Sequence, residues 1–259
     1  MKKSLLAILL VALLVLSGCT TPPITVPDNT EPPTMPPSAP TSEPTSEPTA
    51  APTEPATKPT EEATEPIASE IMYKHAVANY LPIEDYSWER KYTPEFVMIH
   101  FTSAVVNHRD DPYNIGYIRD IYVDYDISIH YVIQRDGTIY CFMPENRVAW
   151  HAGPGTYLDD PKYTDNMNHY SIGIELLAIG SQEDMALYLT PDEYEALDDS
   201  LKGYTEAQYD ALAALIADLC QRYEIPHDST HIIGHGAYSP DKPDPGELFD
   251  WSRILNEAD

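Results

Sequence analysis

The pattern of apolar and polar positions predicts three buried β-strands after residue 70. Short, nearly unbroken apolar runs extend over 96–101, 171–178 and 231–234, as expected for strands that are covered on both faces. Two further runs, 130–134 and 138–142, flank the dipeptide Asp136-Gly137, which is typical of a two-residue hairpin turn. The sequence therefore predicts one β-hairpin in addition to the buried strands.

Helical spacing appears between these strands. Residues 114–125 are predicted to be helical from four apolar positions, namely Ile115, Ile118, Ile121 and Tyr122. Two further helix starts are predicted where Thr190 precedes Pro191 and where Thr205 is followed by Gln208. The last helix carries an apolar stripe at Leu212, Leu215, Ile216, Leu219 and Tyr223. Helices alternating with strands predict one α/β domain over 70–259, in which helices flank a central mixed β-sheet.

The first 19 residues have a different pattern. Lys2 and Lys3 precede an unbroken apolar run over 5–16, which is too short to span a bilayer of about 30 Å and is typical of a signal peptide. The ending Leu-Ser-Gly-Cys resembles a bacterial lipobox, in which the cysteine is lipidated and becomes the N-terminus. We expect 1–19 to be a lipoprotein signal peptide, with Cys19 anchoring the protein on the outer side of the bacterial cell membrane. An ordinary signal peptide with an incidental Cys19 is the alternative.

Residues 20–69 form a second segment, which holds 14 of the 25 prolines among Thr, Ser, Glu and Ala. Such a composition lacks the apolar side chains that would offset the entropy cost of ordering the chain. Proline also favours the extended polyproline conformation. We therefore expect a disordered tether between the lipid anchor and the folded domain.

The net charge limits the classes of binding partner, and the cysteine content limits the disulfides that can form. The 15 basic and 42 acidic residues give a net charge of −27, which argues against nucleic acid as a partner because phosphate binding needs a basic face. Three cysteines are too few for a disulfide framework. Cys141 and Cys220 could form a disulfide in an exported protein, or they could be two buried thiols.

Two histidines and one aspartate carry the candidate chemistry. His100 and His235 stand at the ends of predicted buried strands, where a polar ring needs a partner. Asp244 follows His235 by nine residues, on a loop stiffened by prolines on both sides. Two imidazoles and a carboxylate with an open fourth position form the usual ligand set of a hydrolytic zinc site. The residue types alone leave open whether a metal binds.

Five blocks over 96–251 resemble the zinc-dependent N-acetylmuramoyl-L-alanine amidases of the type-2 family, which share their fold with the peptidoglycan recognition proteins. The blocks occur in the order of the family and are VMIHFT at 97–102, HYVIQRDGTIY at 130–140, AWHAG at 149–153, Asn168 with SIGIEL at 171–176, and IGH at 233–235 with KPDPG at 242–246. One departure is a loop between His235 and Asp244 that is one residue shorter than in several relatives.

The resemblance implies a role for each candidate residue. His100, His235 and Asp244 would bind Zn²⁺. Glu175 would be the catalytic carboxylate; the alternative is a salt-bridged strand residue. Lys242 would be the catalytic lysine; the alternative is a charged residue on a surface loop.

Three further positions complete this assignment. Ile129 stands where phage-type relatives have a catalytic tyrosine, which implies that this chain follows the glutamate route. His130 and His151 are expected in the cleft, either as substrate contacts or as part of its wall; a core role is the alternative for each.

The implied function is zinc-dependent hydrolysis of the amide bond between N-acetylmuramic acid and L-alanine in peptidoglycan, by a monomer. One alternative is a non-catalytic peptidoglycan-binding module of the same fold. Another is a related zinc amidase that acts on a different acylated amine. Residues 181–203 are expected to be a family-variable insertion near the rim of the cleft.

Overall fold

A computed structural model of the protein describes residues 71–255. The predicted signal peptide, Cys19 and tether lie outside the described residues. The strands are β1 Val77–Ala78, β2 Ser87–Glu89, β3 Phe96–Thr102, β4 Tyr131–Ile133, β5 Ile139–Cys141, β6 Arg147–Ala149, β7 Ser171–Leu177 and β8 Ile232–Gly234. The α-helices are α1 Ile115–Asp124, α2 Pro191–Glu195, α3 Glu206–Tyr223 and α4 His235–Tyr238.

Six strands form the central sheet, in the order β1-β5-β4-β7-β3-β8. The sheet is mixed, because β4 and β5 pair antiparallel whereas β3 pairs parallel with both β7 and β8. A separate antiparallel ribbon joins β2 to β6. The predicted fold class, a single α/β domain with a mixed sheet flanked by helices, is confirmed.

The two faces of the sheet have different roles. Side chains alternate along a strand, so Val97 and Ile99 on β3 pack in one core cluster with α3. Met98 and His100 point to the opposite face. The register of β3 and β7 places His100 directly beside Glu175, and neighbouring residues in register share a face. The predicted metal ligand and the predicted catalytic carboxylate are therefore adjacent.

Local sequence explains where the helices begin. Asn114 caps α1, because its side-chain oxygen accepts from the Gly116 amide at 2.9 Å. Thr205 and Gln208 form the predicted capping box of α3. A matching box at Thr190 starts α2, which extends for only five residues. The predicted helix starts are confirmed, although the second helix is short.

The hairpin between β4 and β5 is confirmed, but its turn differs from the prediction. The Gln134 amide donates to the Thr138 carbonyl and the Gly137 amide donates to the Gln134 carbonyl, both at 2.9 Å. Three residues, 135–137, therefore form the turn instead of two. Gly137 has φ of +85° and lies against the backbone of Ala207, where a Cβ would come within 2.7 Å of a carbonyl oxygen. Glycine is needed there for both reasons.

Cys141 fits the buried-thiol alternative. It has no exposed surface, and its Sγ–H donates to the Met143 carbonyl at 3.3 Å.

Among residues 71–255, none of the helices is both long and apolar enough to cross a membrane.

A buried carboxylate ties the hairpin region to α3. Glu145 is fully buried and accepts two hydrogen bonds from the Arg222 guanidinium, at 2.5 and 2.7 Å. The Tyr223 hydroxyl donates to it at 2.6 Å, and the Tyr131 hydroxyl donates to its other oxygen. Both carboxylate oxygens are directed to groups of the fold, so this cluster has a structural role.

Removing this carboxylate is expected to destabilise the domain. Glu145→Ala would remove the acceptor of two tyrosine hydroxyls and leave Arg222 with only its ion pair to Asp218. A buried donor that loses its partner typically costs about 1–3 kcal/mol of unfolding free energy. Denaturant titration followed by tryptophan fluorescence measures this change. The control is Glu84→Ala, which removes an ion pair with Arg147 from an 83% exposed side chain and should cost less than about 1 kcal/mol. Equal costs for the two variants would contradict the structural role of Glu145.

Candidate active site

Three side chains from distant parts of the chain converge at the carboxyl end of the parallel strands. His100 lies near the end of β3, His235 follows β8 directly as the first residue of α4, and Asp244 lies on the next loop. Nδ1 of His100 is 2.7 Å from Asp244 Oδ2, and Nδ1 of His235 is 3.0 Å from the same oxygen. The candidate ligand atoms all lie within 4.8 Å of one another. The structure thus brings together the three residues that were predicted to bind a metal.

The hydrogen bond on the far side of the His235 ring determines its tautomer. Nε2 of His235 lies 2.9 Å from the Ala152 carbonyl oxygen, which can only accept. Nε2 therefore carries the proton, and Nδ1 of the neutral ring presents a lone pair toward Asp244.

A chain of hydrogen bonds determines the tautomer of His100, which is the same as that of His235. The Ser171 hydroxyl donates to the Met167 carbonyl at 2.8 Å, so it can only accept from His151 Nε2, which lies 3.3 Å away. Nδ1 of His151 is then an acceptor for His100 Nε2 at 3.0 Å. Nδ1 of the neutral His100 ring is consequently left with a lone pair that faces Asp244.

Burial and local charge favour the protonation states that a metal requires. Burial lowers the pKa of His100, and the charge of Lys242 acts in the same direction, against its contact with Asp244. Burial also lowers the pKa of His151, well below its usual value. Although burial alone would raise the pKa of Asp244, its close contacts with the His100 and His235 rings hold that pKa well below the usual range. Neutral imidazoles and an ionised carboxylate are the metal-binding forms.

This donor set fits a divalent metal. Two imidazole lone pairs and a carboxylate oxygen that face one another repel unless a cation or a proton lies between them. Two nitrogens and one oxygen, with the outer ring nitrogens held by the protein, suit Zn²⁺ among the divalent ions. His100, His235 and Asp244 could therefore hold the ion while the Ala152 carbonyl and His151 orient the two rings.

Glu175 lies beside this cluster with one oxygen available. The Tyr122 hydroxyl donates to Oε1 at 2.8 Å, whereas the buried Oε2 has no hydrogen-bond partner among the described residues. Burial, followed by the nearby charge of Asp244, raises the pKa of Glu175 to about 8, and the Tyr122 hydrogen bond opposes this shift. Within 71–255, no basic side chain forms an ion pair with Glu175. The alternative that Glu175 is a salt-bridged strand residue is therefore not supported.

Sequence reasoning missed Tyr122. Its helical spacing marked it only as an apolar position of α1, and it is indeed almost fully buried. A buried tyrosine hydroxyl nevertheless needs a hydrogen-bond partner. The sequence could therefore have predicted that the Tyr122 hydroxyl has a hydrogen-bond partner, but not that this partner is Glu175.

Lys242 lies two residues before Asp244 on the same loop. Its side chain is exposed, and its amide donates to the carbonyl of Ser239, just after α4, at 2.9 Å. The ammonium is close enough to contribute to the lowered pKa of His100. Its charge therefore acts on the candidate metal cluster.

The two remaining histidines lie in different surroundings. His130 has no exposed surface; its Nδ1 accepts from the Gly173 amide at 3.0 Å, and its Nε2 lies 3.2 Å from the Arg147 carbonyl. It therefore supports β7 from within the domain and presents no atom to a ligand in this arrangement. His151 is partly exposed and contacts His100, as described above.

Comparisons with known proteins agree with this arrangement. The family model for N-acetylmuramoyl-L-alanine amidase matches residues 90–247. The 1,6-anhydro-N-acetylmuramyl-L-alanine amidase AmpD of Citrobacter freundii is 36% identical over 129 residues, which cover 49% of this chain and 55% of AmpD. The N-acetylmuramoyl-L-alanine amidase AmiD of Escherichia coli (strain K12) is 30% identical over 144 residues, which cover 52% of this chain and 46% of AmiD.

A solved structure gives a similar result. The crystal structure of a Se-Met AmpD derivative is 26% identical, with coverage of 73% of this chain and 97% of that chain and a TM-score of 0.50. The chain spans about half the length of the curated relatives it matches. The family match covers more than half of this chain and contains all five residues of the predicted metal and catalytic sets, which are His100, Glu175, His235, Lys242 and Asp244.

The hydrogen bond between Tyr122 and Glu175 yields a testable prediction. Tyr122→Phe removes a donor that favours the ionised carboxylate, so the pKa of Glu175 should rise further above its value of about 8. Carbon-13 NMR titration of glutamate side chains in the metal-free protein measures this shift. Tyr117→Phe, at a partly exposed position of the same helix, should leave the titration unchanged. An unchanged or lowered Glu175 pKa in Tyr122→Phe would contradict the assignment.

Proposed function

Because this chain belongs to the N-acetylmuramoyl-L-alanine amidase family, we propose that it hydrolyses the amide bond between N-acetylmuramic acid and L-alanine in peptidoglycan. The observation that carries this proposal is the buried, unpartnered Oε2 of Glu175 beside the cluster of His100, His235 and Asp244. A carboxylate held by one oxygen and available at the other is suited to proton transfer next to a metal. A module that only binds peptidoglycan has no need for this arrangement.

The resident cofactor in this proposal is Zn²⁺, with Nδ1 of His100, Nδ1 of His235 and one carboxylate oxygen of Asp244 as its ligands. When bound, Zn²⁺ supplies a Lewis acid that polarises a carbonyl and makes water more acidic. The Ala152 carbonyl and His151 hold the two imidazole rings in the orientation that this requires.

Glu175 is the general base and then the general acid. Burial raises its pKa toward neutral pH, and a carboxylate with a raised pKa is suited to accept and return a proton. Tyr122 holds Oε1, so Oε2 is the atom that takes a proton from the attacking water and delivers it to the leaving amine of L-alanine. Both transfers use the same oxygen, which needs no rotation of the carboxylate.

Lys242 stabilises the charge that develops on the amide oxygen during attack. Its ammonium is exposed and carried on the loop of Asp244, so it can approach a substrate from the solvent side of the cluster. Removal of one such oxyanion donor typically raises the barrier by about 2.7–4 kcal/mol.

The location of the enzyme belongs to the same proposal. Export through residues 1–19 and lipidation of Cys19 would hold the chain at the outer face of the cell membrane. An extended tether over 20–69, at about 3.1 Å per residue, would reach on the order of 150 Å. That reach supports a membrane-held enzyme whose substrate is a separate polymer layer.

Substitution of the general base tests the proposed reaction. Glu175→Gln keeps the shape of the side chain but removes the proton acceptor, so turnover should fall by about 10²–10⁴-fold while one zinc ion still binds. Release of free L-alanine amino groups from purified peptidoglycan measures the rate, and bound zinc is measured on the same samples. A chelator should abolish the wild-type activity and added Zn²⁺ should restore it.

The control for this substitution is Glu89→Gln, an exposed position on β2, which should retain the wild-type rate. A Glu175→Gln variant with unchanged turnover would remove Glu175 from the mechanism. A wild-type protein that binds peptidoglycan without releasing amino groups would instead favour the non-catalytic binding module.

Anchoring is tested by a separate variant. Cys19→Ala removes the thiol that would carry the lipid, so the protein should move from the membrane fraction to the soluble fraction and lose incorporation of labelled fatty acid. Cys220→Ala, within the folded domain, is the matched control and should remain in the membrane fraction. Labelled fatty acid that persists in Cys19→Ala would rule out the lipobox interpretation.

A further inference from the structure

Residues 181–203 form a packed excursion between β7 and α3. Its two ends lie side by side, because Ile179 and Lys202 form a parallel bridge and the Gly203 amide donates to the Ile179 carbonyl at 2.8 Å. Four buried side chains hold it in the core cluster that also contains α1, namely Met185, Leu189, Tyr194 and Leu197. The excursion is therefore a defined part of the domain that can bear on neighbouring loops.

One acidic residue of this excursion contacts the loop 242–247, which carries Asp244. Asp184 is buried, and its Oδ2 accepts from the Ser181 amide at 2.8 Å and from the Glu247 amide at 3.3 Å. A Cβ at position 246 would collide with the same oxygen, and Gly246 has φ of +78°. The glycine thus allows the loop backbone to lie directly against the Asp184 carboxylate.

A second contact lies just after the excursion. The Tyr204 hydroxyl donates to the Pro245 carbonyl at 2.6 Å, next to Asp244 in the chain. From the opposite side, the Gly236 amide of α4 donates to the Asp244 carbonyl at 3.2 Å. The backbone at Asp244 and just after it is therefore held by groups that do not themselves belong to the metal cluster.

We propose that Asp184 and Tyr204 are positioning residues for Asp244, and that the excursion 181–203 sets the metal affinity of the site by bracing the loop 242–247. This inference rests on the proposed metal site. Groups that orient metal ligands from outside the coordination sphere typically change metal affinity by about 10–100-fold when they are removed. Asp184 acts through the main chain of the loop, so its effect depends on its hydrogen-bond acceptor and not on its charge.

Zinc affinity of the full chain in detergent, measured by competition with a chromophoric chelator, tests this proposal without reference to turnover. Asp184→Ala should weaken zinc binding by about 10-fold or more, and Tyr204→Phe should weaken it by a smaller factor. Asp184→Asn keeps an acceptor oxygen and should bind zinc more tightly than Asp184→Ala. Glu183→Ala removes an exposed carboxylate from the adjacent position and should bind like the wild type.

Circular dichroism of the metal-free variants establishes that each retains its fold. If Asp184→Ala does not fold, Asp184→Asn and Tyr204→Phe carry the test, since each changes only one or two atoms. Wild-type affinity in both Asp184→Ala and Tyr204→Phe would overturn the bracing role. Equal losses in Asp184→Ala, Asp184→Asn and Glu183→Ala would overturn it in favour of a general charge effect. A wild-type chain that binds no zinc would refute the metal site itself, which is a different result from either of these.

Discussion

The parallel pairing of β3 with β7 and β8 is the constraint on which the site depends. Parallel strands end at the same edge of a sheet, so residues at their carboxyl ends meet whatever their distance in the chain. His100 and Asp244 lie 144 positions apart in sequence but 2.7 Å apart in space. The same register puts Glu175 beside His100. A shift of one residue in either pairing would turn these side chains to the opposite face, where α3 packs.

A second layer of polar contacts turns this proximity into a defined chemical arrangement. Main-chain carbonyls and one hydroxyl determine which nitrogen of each ring carries a proton, so both ligand lone pairs face the carboxylate of Asp244. Tyr122 likewise orients Glu175, because its hydroxyl donates to one carboxylate oxygen and the other oxygen has no hydrogen-bond partner among the described residues. In a buried environment these contacts are strong and their loss is costly. The reactive groups therefore derive their state from neighbours that need not touch a substrate.

Local patterns were sufficient for the parts of the fold that local physics determines. The strand at 96–101, the capping of α3 by Thr205 and the hairpin could be predicted because apolar runs, caps and turn residues act over a few positions. The strands β1, β2 and β6 could not be predicted because, unlike the equally short β4, β5 and β8, they neither lie in an apolar run nor flank a turn dipeptide. Tyr122 and Asp184 could not be assigned either, since their partners are set by tertiary packing. The ligand set came from a resemblance between sequence blocks, whereas its geometry came from the sheet.

The long separation of the ligands along the chain has a consequence for biosynthesis. Translation delivers His100 and Glu175 well before β8, α4 and the loop of Asp244, and β8 must dock beside β3 before the third ligand can arrive. Contacts of such high sequence separation form late, because the chain between them has to be ordered first. A nascent chain that ends before residue 235 thus contains Glu175 and His100 without the other two residues of the cluster. The three residues of the cluster therefore meet only after β8, α4 and the loop 242–247 have been made and docked.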